Sequence, residues 1–203
     1  QEPLFEDPIS AIYSNDAKDI CLDRANLLGI YQKGILVNFD YNGNIMDEKS
    51  LFSYEFRHVS LNEERRLKYG LDDAQSNFIT LLNNCDASFF IDTMINNAAL
   101  SGDWWETNIN YSKYTYFTKK NSALWCDAWN NATNNAILVR HNADDDVELK
   151  VKMHGVKPMR VQSEFWYEFL LHQGIPGQED ILGSEVDFDI VSLDEVTDEQ
   201  HDI

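Results

Sequence analysis

Residues 164–181 read EFWYEFLLHQGIPGQEDI, an aromatic-rich segment with one carboxylate, Glu168, in the middle of its apolar side chains. The alternation from Glu164 to Leu171 predicts a β-strand, whose successive side chains point to opposite faces. Glu168 then shares a face with Trp166. The residues Gly174-Ile175-Pro176 predict a turn directly after the strand.

Glu168 has two interpretations within such a strand. A carboxylate beside apolar surface loses hydration, which raises its pKa and requires a compensating partner. Functional sites often tolerate that cost. In the other interpretation the face is exposed at a sheet edge, and Glu164 and Glu168 are ordinary surface carboxylates.

Apolar periodicity predicts the remaining elements. Strands are predicted within 35–56 (as a hairpin or two separate strands) and at 114–118, 136–140, 147–153 and 186–193. Helices are predicted at 61–69, after a capping box at Ser60–Glu63, and at 78–82, 90–98 and 123–131. We predict a single α+β domain, 1–203, with a helical N-terminal half packed on a mixed or antiparallel β-sheet. Residues 178–203 would form an acidic strand and tail.

The charge counts against one broad class of function. The chain of 203 residues has 16 basic and 35 acidic side chains, a net charge of −19. This charge repels phosphate backbones, so nucleic-acid binding through a basic surface is not expected. No apolar run approaches the length of a membrane span, and the N-terminal residues lack a signal-peptide pattern, so we expect a soluble chain.

Cysteines and glycosylation sequons bear on the compartment. Cys21, Cys85 and Cys126 match no metal-binding spacing, and their odd number leaves at least one thiol that could join a partner subunit. Asn110 and Asn131 begin sequons, which are typical of secreted eukaryotic proteins. Secretion is therefore expected, with a soluble cytoplasmic protein as the alternative.

The residues from Glu168 to Gly183 resemble the catalytic-glutamate strand and following turn of the cholera-toxin and pertussis-toxin group of mono-ADP-ribosyltransferases. The resemblance implies an ADP-ribosyltransferase-like fold and NAD as substrate. It also implies cleavage of the nicotinamide–ribose bond and transfer of ADP-ribose to a protein or nucleic-acid acceptor. Glu168 would stabilise the positive charge that develops at the anomeric carbon.

Further site residues follow from the same resemblance. Arg24 in CLDRA is similar to the family arginine that holds the dinucleotide phosphates. Thr118 in YFTK corresponds to the Ser-Thr-Ser strand that braces the pocket. Trp166 or Tyr167 would stack on nicotinamide. The family has Glu or Gln where this chain has Trp166, which makes simple NAD hydrolysis a variant of the expected activity.

Two other functions fit the sequence. An acidic inhibitor or immunity-type protein that masks a basic partner is favoured by the net charge and by the carboxylate-rich segment 178–202. A secreted carbohydrate-binding domain would use the five tryptophans. His141 with Asp144–Asp146 suggests a cation site, but the aspartates are better explained as a solvated turn, and we predict no metal.

Overall fold

The computed structural model describes residues 11–13, 20–23, 28–33, 35–37, 48–56, 59–112 and 115–183. The strands in these ranges are β1 (Ala11–Tyr13), β2 (Ile20–Asp23), β3 (Gly29–Gln32), β4 (Ile35–Val37), β5 (Phe52–Glu55), β6 (Ile137–Val139) and β7 (Pro158–Arg160). The α-helices are α1 (Asp72–Asn84), α2 (Ser88–Thr93), α3 (Ser122–Thr133), α4 (Asp145–Met153), α5 (Glu164–His172) and α6 (Gln178–Leu182).

The first five strands form one mixed sheet in the order β1-β2-β5-β3-β4. β3 and β5 are parallel, whereas the other neighbouring pairs are antiparallel. The two strands predicted within 35–56 are confirmed as β4 and β5. They do not form a hairpin with each other, because both pair with β3, one on each side.

The helices after this sheet cover β5. Phe52 and Tyr54 alternate inward along β5 and are buried. Their rings lie 5.4 Å from Phe90 of α2 and 5.6 Å from Phe78 of α1, respectively. The helical spacing predicted for 78–82 and 90–98 is therefore confirmed, with α2 continuing as π-helical turns through Met94–Ala99.

A second sheet consists of two parallel strands, β6 and β7, with α4 between them in the chain. The buried strand predicted at 136–140 is β6, and the helix predicted at 123–131 is α3. The strand predicted at 147–153 is wrong, because this segment belongs to α4. Val147 and Val151 are one helical turn apart, so the short alternating run fits the helical period of 3.6 residues as well as the strand period of two. The aspartates at its start favour a helix N-terminus.

The strand predicted at 164–171 is also wrong, since Glu164–His172 is the helix α5. Ser163 caps it, its Oγ accepting the backbone N–H of Trp166 at 3.4 Å. The turn after it is confirmed: Gly174 has φ +98°, a conformation that glycine adopts without steric cost. The chain then returns beside β6, where the Leu138 N–H donates to the Pro176 carbonyl at 2.8 Å.

Glu106 connects the first sheet to α5. Its buried carboxylate accepts hydrogen bonds from Ser50 Oγ at 2.6 Å, Tyr54 Oη at 2.5 Å and the Leu51 N–H at 3.0 Å. Its backbone carbonyl accepts the indole N–H of Trp166 at 2.9 Å. The first sheet and α5 are therefore joined through one short turn of 3-10 helix, Trp105–Thr107.

The α+β class is confirmed, but the helical N-terminal half is wrong, because the larger sheet lies there. The helix predicted at 61–69 is instead a turn closed by a bridge between Leu61 and Leu67. Residues 115–118 form no strand, and 113–114 lie outside the described residues. Residues 178–182 are α6 rather than a strand; 184–203, including the strand predicted at 186–193, also lie outside. Among the described residues, no helix is long and apolar enough to span a membrane.

Candidate functional site

Two arginines mark the carboxyl edge of the smaller sheet. Arg140 directly follows β6, and Arg160 is the last residue of β7. Because the two strands are parallel neighbours, both side chains start from the same edge. In open parallel sheets this is the edge at which ligands bind.

Arg140 is surrounded by three glutamates. Its Nη1 binds Glu164, its Nη2 lies 3.1 Å from Glu168 Oε1, and its Nε lies 3.1 Å from Glu179 Oε1. Burial lowers the pKa of Arg140, but the hydrogen bonds and charges of Glu179 and Glu164 outweigh burial and raise it. Arg140 is thus a fixed cation held by more negative charge than it carries.

Arg160 is held in the same way from α4. Its Nε lies 2.9 Å from Glu148 Oε1, and its Nη2 lies 3.4 Å from Asp145 Oδ1. His141 Nδ1 lies 3.7 Å from Glu164. Five carboxylates therefore surround two guanidinium groups at this edge.

Tyr167 packs beneath the arginine cluster, which consists of Arg140 and the three glutamates that bind it. Its buried ring lies 4.1 Å from the Arg140 guanidinium, and its hydroxyl donates a hydrogen bond to Glu179. A side chain at Gly177 would meet this hydroxyl, since a Cβ there would lie 2.6 Å from it. Burial and the contact with Glu179 raise the pKa of Tyr167, so the phenol remains a proton donor.

Glu168 also faces a groove of about 460 Å³ beside the cluster. Glu168 is bordered there by Tyr111, Thr115, Tyr116, Phe117, Lys119, Leu171 and His172. Phe117 is buried against α5, with its ring 5.3 Å from Phe169 and 5.9 Å from His172. The groove is thus an aromatic surface with one carboxylate that is itself bound to Arg140.

Of the four predicted site residues that the structure describes, Glu168 is the one that borders this groove. It lies on a helix instead of a strand, and its side chain is 24% exposed. Thr118 is on the neighbouring segment but binds α1: its N–H and hydroxyl donate to Asn83 at 2.9 and 3.1 Å. Arg24 lies outside the described residues.

Trp166 and Tyr167 are both fully buried. The Trp166 indole is committed to the carbonyl of Glu106, and the Tyr167 ring lies beneath Arg140. Neither ring has an exposed face, so the predicted stacking on nicotinamide does not fit their positions. Trp166 is a core residue that joins α5 to the first sheet.

Sequence reasoning missed the arginine cluster. Arg140 ends the apolar run AILVR, and a charged residue at the end of a buried strand was the available signal. In the segment considered as a cation site, Asp145 pairs with Arg160 and His141 lies beside Glu164. No group of three potential metal-ligating side chains occurs within the described ranges.

The two cysteines whose side chains are described are free thiols. Cys85 is buried, and burial raises its pKa to about 11. Cys126 is partly buried, its Sγ lies 3.5 Å from the Gln173 carbonyl oxygen, and burial also raises its pKa. Both thiols are poorly ionised at neutral pH, and burial makes Cys85 unsuited to join a partner subunit.

The whole chain was compared with models of known protein families, with curated proteins and with solved structures, and no match was found. The functional interpretation therefore depends on the geometry of the carboxyl edge and the groove.

Proposed function

We propose that this chain is an acidic binding protein that engages a basic segment of a protein partner through the carboxyl edge of β6 and β7. The observation that carries the proposal is the state of Arg140, whose single positive charge is bound by three glutamates. Such an arrangement leaves excess negative charge facing outward. A cationic partner is the charge-complementary occupant.

An anionic dinucleotide is less well matched to this edge. A guanidinium group can bind a pyrophosphate only when its N–H donors are open to it. Arg140 and Arg160 are already engaged by carboxylates. The net charge of −19 adds a long-range repulsion for anions and an attraction for cations.

A NAD-dependent mono-ADP-ribosyltransferase or NAD glycohydrolase, with ADP-ribose transferred to a macromolecular acceptor in the first case, is a second candidate. One observation favours it: the Glu168 carboxylate borders the groove of about 460 Å³. A carboxylate placed there could stabilise positive charge at an anomeric carbon. The guanidinium of Arg140, 3.1 Å from Glu168, counts against it by neutralising part of that charge.

The binding proposal is tested with a fluorescent oligolysine peptide, and an oligoglutamate peptide as the negative control. Fluorescence anisotropy should show oligolysine binding that weakens as ionic strength approaches about 0.15 M. Asp144→Asn with Asp146→Asn removes two exposed charges at the start of α4, next to the edge. We expect this pair to weaken binding about fivefold at low salt.

The matched control is Glu63→Gln with Asp92→Asn, which removes two exposed charges on other parts of the surface. Equal weakening by both pairs would show that binding follows total charge and would overturn the edge as the site. Nicotinamide release from NAD by the wild type, lost in a folded Glu168→Gln variant, would overturn the binding proposal and establish the second candidate.

A further inference from the structure

The groove beside Glu168 combines exposed tyrosine rings with negative charge. Tyr116 is 77% exposed, and Tyr111 is 36% exposed and stacks on Phe117 at 6.3 Å with an interplanar angle of 12°. We propose that this groove binds an arginine side chain of the basic partner segment, an inference that rests on the proposed binding function.

Ring faces attract cations when the cation lies within about 6 Å of the ring centre. Phe117 is anchored by Phe165 and Phe169 of α5, at 5.8 and 5.3 Å. The stacked Tyr111 is therefore supported by the core instead of moving freely. A guanidinium that enters the groove meets at Tyr111 a ring whose position is already determined, which lowers the entropic cost of binding.

The electrostatic environment of Tyr111 supports a cationic occupant. Burial raises the pKa of Tyr111, and the negative charges of Glu168 and Glu164 raise it further, outweighing the opposing effect of Arg140. The potential that Glu168, Glu164 and Arg140 together create at the phenol is thus negative. The same potential attracts a second guanidinium to the groove.

The cluster beside the groove shows how these groups hold an arginine. Arg140 lies over the ring of Tyr167 and binds Glu168. Tyr111 and Glu168 both line the groove, so a ring and a carboxylate are available there to an incoming side chain as well. Guanidinium suits it better than ammonium, because it is planar, stacks on rings and donates two parallel hydrogen bonds.

Lys119 also borders the groove, and its charge opposes that of an arginine. The proposal therefore predicts opposite changes in affinity for two variants. Removing the ring of Tyr116 should weaken binding of an arginine peptide, whereas removing the charge of Lys119 should strengthen it. An effect through general unfolding would weaken binding in both variants.

The probe is an acetylated, amidated peptide of alternating arginine and glycine, compared with the same peptide carrying citrulline or lysine. The wild type should prefer arginine to lysine and lysine to citrulline, which keeps the shape of arginine without its charge. Tyr116→Leu should weaken arginine-peptide binding about threefold to tenfold. Lys119→Gln should strengthen it about twofold.

Matched controls use the same side chains elsewhere on the surface. Tyr69 is 55% exposed, and Tyr69→Leu should leave affinity unchanged. Lys49 is exposed outside the groove, so Lys49→Gln should strengthen binding less than Lys119→Gln does. Thermal melts verify that each variant is folded.

The outcomes separate the groove from the broader binding function. Binding that responds to Asp144 and Asp146 but not to Tyr116 or Lys119 would overturn the groove and leave the proposed function standing. No binding of any cationic peptide would overturn both. Equal binding of the arginine and citrulline peptides would contradict recognition of charge and overturn the groove.

Discussion

The guanidinium of Arg140 lies 4.1 Å from the centre of the Tyr167 ring. This contact joins the end of β6 to α5, and the same guanidinium binds Glu179 of α6. One side chain therefore connects three elements that are separate in sequence. It also determines how much negative charge the carboxyl edge presents.

Replacing Arg140 should destabilise the protein. In Arg140→Gln, three glutamates lose their common cation and repel one another. Because these groups are only partly buried, we expect a loss of about 1–3 kcal/mol in the free energy of unfolding, measured with urea. The control Arg66→Gln breaks an exposed pair with Glu64 and should cost less than about 0.5 kcal/mol. Equal costs would contradict a special role for Arg140.

Glu179 should contribute to stability only above the acid range. Burial opposes its ionisation, but the hydrogen bonds from Tyr167 and Arg140 outweigh burial and lower its pKa below the ordinary 4.5. Its contribution is therefore present above pH 4.5 and is lost as the pH falls through the lowered value. Tyr167→Phe removes one of these hydrogen bonds. The stability difference between wild type and this variant should shrink below pH 4.5; a difference that stays constant would count against the prediction.

Glu106 should behave in the opposite way. Burial raises its pKa above the ordinary 4.5, despite hydrogen bonds from Ser50 and Tyr54 that oppose the shift. Ser50 Oγ lies 2.6 Å from Glu106 and 2.8 Å from the Phe52 carbonyl oxygen. A protonated Glu106 can donate to Ser50, whose own proton then goes to Phe52.

The stabilising contribution of Glu106 is thus complete below pH 4.5 and is lost as the pH rises through its raised pKa. Glu106→Gln has a side-chain N–H that can replace the carboxyl proton at every pH. Its stability relative to wild type should therefore improve from acidic to neutral pH in urea titrations. The exposed Glu64→Gln serves as the control for losing a carboxylate at the surface. If the stability of both variants relative to wild type did not change with pH, the raised pKa of Glu106 would be contradicted.

Trp166 should act as a core residue and not as a ligand-stacking ring. Trp166→Phe removes its hydrogen bond to Glu106 and leaves unfilled volume between buried rings. We expect a loss of about 2–4 kcal/mol in unfolding free energy. Trp104 is only partly buried, and Trp104→Phe should cost less than about 1 kcal/mol. A stable Trp166→Phe protein that loses ligand binding would reverse this interpretation.

Some segments with clear apolar spacing were predicted correctly. Phe78, Leu81 and Leu82 repeat with helical spacing in α1, and ILV in β6 is a short, continuously buried run. In these segments local pattern and tertiary burial agree, so the pattern is sufficient.

Two of the wrongly predicted strands share one cause. Residues 147–153 and 164–171 are short, and their apolar side chains satisfy a period of two as well as a helical one. In α5 the side chains of Phe165, Trp166, Tyr167 and Phe169 are all buried. Its polar residues Glu164 and Glu168 are four apart, a spacing that puts them on one face of a strand as well as of a helix, so they did not distinguish the two periods. The parallel pairing of β6 with β7 also requires a crossover, which α4 supplies.

The sequence by itself determined the net charge, the α+β class, the turn at Gly174 and the position of Glu168 among aromatic residues, because these depend on composition and near neighbours. Only the tertiary structure decided that Glu168 binds Arg140 and that Trp166 is a core residue. Arg140 and Glu168 are distant in the chain, and their contact requires β6, α5 and α6 to meet at one edge. The local sequence pattern does not show that these three elements lie together, because their relative positions depend on tertiary packing.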